Sequence, residues 1–385
     1  MDGKTIFRGQ ILYYKVELRA KGLKNLAYKI WRLGIIDHFD WRSLKWLVGK
    51  TEVLNSAGQN VRNEFNIQED DHTAFVFFRT VNTFVKATGR EISGNPQPRN
   101  LEAYAKEKLN PLTTPAINQN VLGQNYTVVL PMEVYGEQDG LIANTAMQET
   151  NSDLTKSNTV VNVEKMLQPE KTVSLTIGGK SQEGDEIPLG DDFFYGLESS
   201  RLPANRAYQK VSSWTFSDTY ESKFDKYLGV WKAFSDYPVY TGGKEVAPAG
   251  AQIGGNSFKP PFSAPLIEVE DEGGTIKAQL TPAGLKAFSS PGQEGFSIYL
   301  EFKRVKPSAK VVNIFVEGLN GVERKSNEVW TWTPNPITVS HPVYLNLPKI
   351  KRLASTGMDI VDIVGVVLGL LSFGVFCIIR GRKKN

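Results

Sequence analysis

The sequence predicts an all-β chain: two tandem antiparallel β-sandwiches followed by a C-terminal transmembrane helix. Three observations carry that expectation. Short alternating runs such as residues 74–78, 126–130, 173–177 and 296–302 are punctuated by Gly, Pro and Asn, the period-two pattern of strands with a buried face. Residues 142–163 recur without a gap at 311–332, with Asn144, Asn151, Lys156, Ser157, Asn158 and Val160 returning 169 positions later as Asn313, Asn320, Lys325, Ser326, Asn327 and Val329. Finally, residues 363–379 carry no charge and are followed by Arg380, Arg382, Lys383 and Lys384. At 1.5 Å per residue such a helix, with its flanks, reaches across a hydrocarbon core of about 30 Å.

In chain order, the first sandwich spans residues 1–162. Its first fifty residues hold eleven Lys and Arg against four acids, but these alternate with apolar residues as on a solvated face, and the whole chain carries only +4. Helical periodicity is confined to residues 100–109 and 30–48. Asp70-Asp71-His72 reads as an exposed turn, and Asn151-Ser152 and Asn320-Gly321 read as hairpin turns. The front halves also correspond: Tyr13-Tyr14, Ala27-Tyr28 and Asp37 parallel Phe194-Tyr195, Ala207-Tyr208 and Asp218. The second sandwich therefore covers residues 163–337, with 338–352 as an extended spacer and 353–385 as the anchoring segment, its helix at 360–379. Cys377, the only cysteine, lies inside that helix, so no disulfide staples the chain. Met1-Asp2-Gly3-Lys4-Thr5 lacks an export signal's apolar core, which suggests the C-terminal part of a longer precursor whose first sandwich lacks its opening strand.

Two resemblances follow from these residues. Leu353-Ala354-Ser355-Thr356-Gly357, an apolar span and a basic tail resemble the cell-wall sorting signal of Gram-positive surface proteins, with Ala354 where the commonest signal has Pro. In that family a sortase cuts between the residues equivalent to Thr356 and Gly357 and joins the Thr to peptidoglycan. The stretches 170–180, 189–195, 202–206, 216–220 and 325–329, in that order, resemble the C-terminal stalk domains of antigen I/II type adhesins. That resemblance implies immunoglobulin-like sandwiches and a location at the cell surface, anchored to the wall.

It also implies an intramolecular isopeptide bond, in which a Lys of the first strand displaces ammonia from an Asn of the last strand while an acid shuttles protons. Such a lysine must be neutral to attack, hence buried, and the acid must be buried enough to stay protonated. The candidates are Lys171 as nucleophile, Asp218 as acid and Asn327 as carboxamide, with Lys165 as the alternative nucleophile. In the first sandwich Asp37 and Asn158 hold the equivalent places, but the lysine strand would precede residue 2; Lys4 and Lys15 are weak substitutes, and no bond is expected there.

Other chemistry is poorly represented. His38, His72 and His341 lie far apart, and there is no nucleophile elbow, phosphate loop or dinucleotide fingerprint. The acidic loops 183–186 and 268–272 have calcium's ligand types but read as solvated loops, so no cofactor is expected. The resulting expectation is a non-enzymatic adhesin stalk. Its partners would be a sortase, peptidoglycan, the membrane through the C-terminal helix, and host or neighbouring-cell surface proteins, with no role for nucleic acid. The alternative is a membrane-anchored virion structural protein with tandem β-barrels, which explains the missing export signal but not Leu353–Gly357.

Overall fold

Alternating burial builds the strands. Along Trp214–Thr219 the side chains of Trp214, Phe216 and Asp218 face the core, and Thr215 and Thr219 face out. Along Phe296–Arg304, Phe296, Ile298, Leu300, Phe302 and Arg304 are buried in the same rhythm. A computed structural model describes residues 1–79, 117–151, 153–257 and 262–335. Within it, Met1–Pro336 form one compact unit.

In the second half a five-stranded sheet runs in the order Glu170–Ser174, Asp192–Glu198, Phe296–Arg304, Asp225–Ser235, Gln252–Gly255. Another runs Ile267–Asp271, Thr275–Leu280, Trp214–Thr219, Phe315–Leu319, Val322–Lys325. Side chains from both sheets share one core that includes Val173, Tyr195, Trp214, Phe216, Phe296 and Phe315. A further pair, Ser308–Asn313 with Val329–Thr333, closes one side.

The first half repeats this plan. Asp153–Lys156, Ala146–Thr150, Leu33–His38, Thr73–Phe78 and Phe65–Asp70 make one sheet. Ile11–Leu18, Tyr126–Val134 and Leu44–Trp46, with Glu52–Leu54 also on Tyr126–Val134, make the other. Gly140–Asn144 pairs with Val160–Glu164 as its counterpart does 169 residues later. The register matches too: Ala146 lies opposite Asp37, and Phe315 opposite Asp218. One strand has no counterpart. Ile11–Leu18 corresponds to Asp192–Glu198, yet among the described residues it is an edge strand, whereas Asp192–Glu198 is covered by Glu170–Ser174.

Residues 30–48, expected to favour a helix, instead form Leu33–His38 and Leu44–Trp46. Leu33–Asp37 is buried on both faces, which removes the alternation that would have marked a strand. The one α-helix among the described residues is α1 (Pro282–Ala287), started by the Thr281 hydroxyl, which accepts from Gly284 N, and by Pro282 at its first position. Residues 100–109, the spacer and the C-terminal segment lie outside the described residues, among which no helix is long and apolar enough to cross a membrane.

Both hairpin asparagines have positive φ, 49° at Asn151 and 51° at Asn320. Each carboxamide ties the turn to a remote segment. Asn151 Oδ1 accepts from Trp31 N and Arg32 N, and Asn320 Oδ1 accepts from Ser212 N. Asp71 and His72 also form a positive-φ turn, with His72 stacked on Trp41.

Candidate crosslink site in the second half

Lys171 lies on the edge strand Glu170–Ser174, opposite Leu197, and points inward in phase with Val173. A charged amine in that position needs a partner, and Asp218 supplies it from the facing sheet. Lys171 Nζ is 2.6 Å from Asp218 Oδ2, and both side chains are wholly buried. The amine sits 4.7 Å from the Tyr195 ring centroid and 5.6 Å from that of Phe315. Burial pushes the Lys171 amine below its usual range, with the Asp218 charge pulling the other way. The Tyr195 ring is fixed by its hydroxyl, which donates to Asp225 Oδ2 at 3.0 Å, and Asp225 in turn accepts from Arg304 Nε at 2.6 Å.

The other two sequence candidates lie apart from this amine. Asn327 is exposed, and its carboxamide spans the Lys171 backbone: Oδ1 accepts from Lys171 N at 2.7 Å, and Nδ2 donates to Lys171 O at 2.9 Å. It clamps the strand rather than facing Nζ. Its carboxamide is on the peptide edge of the strand while the lysine side chain enters the core. Lys165 is on the surface, paired with Asp139.

A second carboxamide, buried where that of Asn327 is not, is that of Asn313, which sequence reasoning passed over. Asn313 is 2% exposed, and neither of its amide atoms has a hydrogen-bond partner. It lies two residues before Phe315, which is opposite Asp218, and Asp218 Oδ1 is likewise unpartnered. In the first half its counterpart Asn144 donates from Nδ2 to Asp37 Oδ2 at 2.9 Å. The signal was present in the sequence. Val311, Asn313 and Phe315 alternate inward, and the Asn313/Asn144 recurrence is in the gapless repeat. An amine depressed by burial, a buried carboxyl and an uncommitted carboxamide are the components of a transamidation.

In the first half, Asp37 is buried without a neighbouring ammonium, and burial raises its pKa to about 6 against the Asn144 hydrogen bond. Lys4 bonds Asn205 at 2.9 Å, and Lys15 and Asn158 are exposed. Among the described residues no group of three or more His, Cys, Asp or Glu could hold a metal. The sorting residues Leu353, Ala354, Ser355, Thr356 and Gly357 lie outside the described residues.

Comparison with known proteins now decides the family. Residues 1–163 match the cell surface antigen I/II C2 terminal domain, and residues 168–334 match the cell surface antigen C-terminus. The chain belongs to the antigen I/II family. A relative, the aggregation substance of Enterococcus faecalis, is 26% identical over 341 residues, which are 86% of this chain and 23% of that protein. The antigen I/II chain therefore spans about a quarter of that relative's length. The C-terminal domain of the Streptococcus agalactiae AgI/II polypeptide BspA superposes with a TM-score of 0.61 at 20% identity, over 86% of this chain and 96% of that one. The C-terminal domain of the Streptococcus pyogenes antigen I/II-family protein AspA gives 0.63 at 20% identity, over 86% and 95%. These likenesses establish the all-β fold. Family membership places the antigen I/II chain at the cell surface, as C-terminal domains of surface adhesins; nothing in the matches supports the virion alternative.

Proposed function

We propose that this antigen I/II chain is the C-terminal stalk of a wall-anchored adhesin, made of two tandem immunoglobulin-like sandwiches, the second closed by an isopeptide bond between Lys171 and Asn313. The observations that support the bond are the buried Lys171–Asp218 contact of 2.6 Å, a buried Asn313 carboxamide with no partner of its own, and the bond that its counterpart Asn144 makes to Asp37. Neutral Lys171 Nζ attacks Asn313 Cγ while protonated Asp218 polarises the carboxamide oxygen. The new C–N bond forms, the Cγ–Nδ2 bond breaks, and Asp218 relays the amine's proton to the departing ammonia. The dry aromatic walls keep the amine neutral and water out of the tetrahedral intermediate.

The bond would join the strand that enters the second sandwich to one near its end. A pulling force would then pass through covalent linkage instead of through hydrogen bonds each worth about 1 kcal/mol net. That suits a stalk with no disulfide. Leu353-Ala354-Ser355-Thr356-Gly357, the apolar run and the basic tail support sortase processing and attachment to peptidoglycan after membrane insertion. The name of the Enterococcus faecalis relative favours a surface on a neighbouring cell as target, reached by an adhesive region outside these residues.

Intact mass of the purified chain tests the bond. The chain is expected to be lighter than its sequence by one ammonia, and so is Asn327→Ala. Asp218→Ala and Asn313→Ala are expected at full sequence mass. A folded wild-type chain at full mass would remove the proposal, and loss of the mass difference in Asn327→Ala alone would return the crosslink to Asn327.

A further inference from the structure

At one end of the first half an open cleft of about 390 Å³ has Trp41, His72 and Tyr135 in its walls beside Glu69, Glu133 and Lys45. Backbone contacts hold the rings in place. The Tyr135 hydroxyl donates to Trp41 O, and Phe39 N donates to His72 O at 3.3 Å. His72 stacks on Trp41 with ring centroids 4.8 Å apart and planes 21° from parallel. Large aromatic rings are mostly buried on average, yet Trp41 is 49% and Tyr135 42% exposed.

The second half folds without these rings. Leu44 lies opposite Val134 as Asp225 lies opposite Arg304, and Leu44 N donates to Asp40 O as Asp225 N does to Glu221 O, so Trp41 corresponds to Ser222. By the same register Tyr135 corresponds to Val305 and Glu133 to Lys303. Thr73 faces His38 as Thr275 faces Thr219, which sets His72 against Gly274. Gly273 and Gly274 take positive φ freely, at 72° and 114°, whereas Asp71 and His72 hold 47° and 57° against the steric resistance of a Cβ. The first half thus keeps a strained turn that lays an imidazole on an exposed indole, and strain of this kind gathers at ligand sites.

We propose that this cleft binds one pyranose ring of a neutral glycan. The charges of its walls decide the class. Glu69 and Glu133 oppose an anion, and Lys45, directly across from Glu133, opposes a small cation. An apolar side chain would strip water from all three and return no hydrogen bond. A pyranose meets both demands. Its C–H face covers the Tyr135 ring and the Trp41 face turned away from His72, while its hydroxyls donate to the two carboxylates and accept from the Lys45 ammonium. The site lies in the first half and stands whether or not Lys171 is coupled to Asn313.

Saturation-transfer NMR on the 385-residue chain tests it, with N-acetylglucosamine as a wall-type sugar, methyl β-D-galactopyranoside as a sugar of other surfaces, and tetramethylammonium as the cationic probe. Saturable transfer to the ring C–H protons of at least one sugar is expected; preference for the first assigns the glycan to the wall, and preference for the second to another surface. Trp41→Ser is expected to weaken binding about tenfold, the equivalent of one lost aromatic contact, and Glu133→Gln about threefold. Because Ser stands at the corresponding place in the second half, Trp41→Ser should fold, which circular dichroism checks; if it does not, Tyr135→Val and Glu133→Gln carry the same comparison. No saturable transfer with either sugar, binding of tetramethylammonium alone, or sugar binding that survives the folded variants unchanged overturns the proposal.

Discussion

The two halves of the chain hold the same acid and carboxamide in the same register, and among the described residues only the second sets a lysine strand against them. In the second, Lys171 and Asp218 neutralise each other inside a closed core. In the first, Asp37 keeps its place, its strand register and its asparagine but has no ammonium beside it among the described residues, and burial raises its pKa against the Asn144 hydrogen bond. The difference shows that acid and carboxamide are fixed by the two facing strands, and that the edge strand supplies only the nucleophile.

The largest effect expected is from Lys171→Ala. It strands a buried carboxyl, which costs about 3–5 kcal/mol, and it deletes a crosslink whose loop-closure contribution is on the order of 4 kcal/mol. A drop of that combined size in the unfolding free energy of the second half, followed by urea titration of Trp214 fluorescence, is the expected outcome. Lys171→Met with Asp218→Leu should recover the first contribution and not the second. If that pair restored full stability, no crosslink would be acting.

Asp37 gives the next largest effect, and its sign is opposite to that of a salt-bridged acid. Its folded pKa, raised by burial to about 6, lies above the unfolded value of 3.8. Its contribution to stability is thus fully present below pH 3.8 and lost as pH rises through about 6, with a span on the order of 3 kcal/mol. Glu294, raised to about 7 by burial, titrates nearby, so the measured quantity is the difference between the wild-type chain and Asp37→Asn across pH 4–7. The variant should gain stability over wild type toward neutrality, and a constant difference would contradict the burial argument.

Much of the fold was legible because the repeat doubled every weak signal. Asn151 and Asn320 marked their turns, and Asp37 and Asp218 fell in register before any strand was seen. Leu33–His38 was not legible, since burial on both faces erases the alternation that separates strand from helix. At the site, Lys171 and Asp218 were named through the resemblance to the adhesin stalk domains, and the structure brings their side chains together. Asn313 was hidden by the more conspicuous Lys-Ser-Asn run, whose second-half asparagine, Asn327, holds the backbone of the adjacent strand. Phase along the strand, with Asn313 between inward Val311 and Phe315, was the better guide.

Two smaller effects sharpen the comparison further. Asn320→Ala and Asn151→Ala each place a Cβ-bearing residue without a side-chain acceptor at a left-handed turn, at about 1–2 kcal/mol for the conformation and about 1 kcal/mol for the lost ties. Equal losses from the two are expected, because both turns hold the same kind of remote segment. The smallest effect separates clamp from crosslink. Asn327→Ala removes two hydrogen bonds to the Lys171 backbone and should lower stability by roughly 1–2 kcal/mol while the mass still lacks one ammonia. Asn158→Ala, at the equivalent exposed position, should leave the stability of these 385 residues unchanged, because among the described residues its side chain clamps no strand. A matching loss of stability would mean that Asn158 also holds a strand, and the two asparagines would not differ in role.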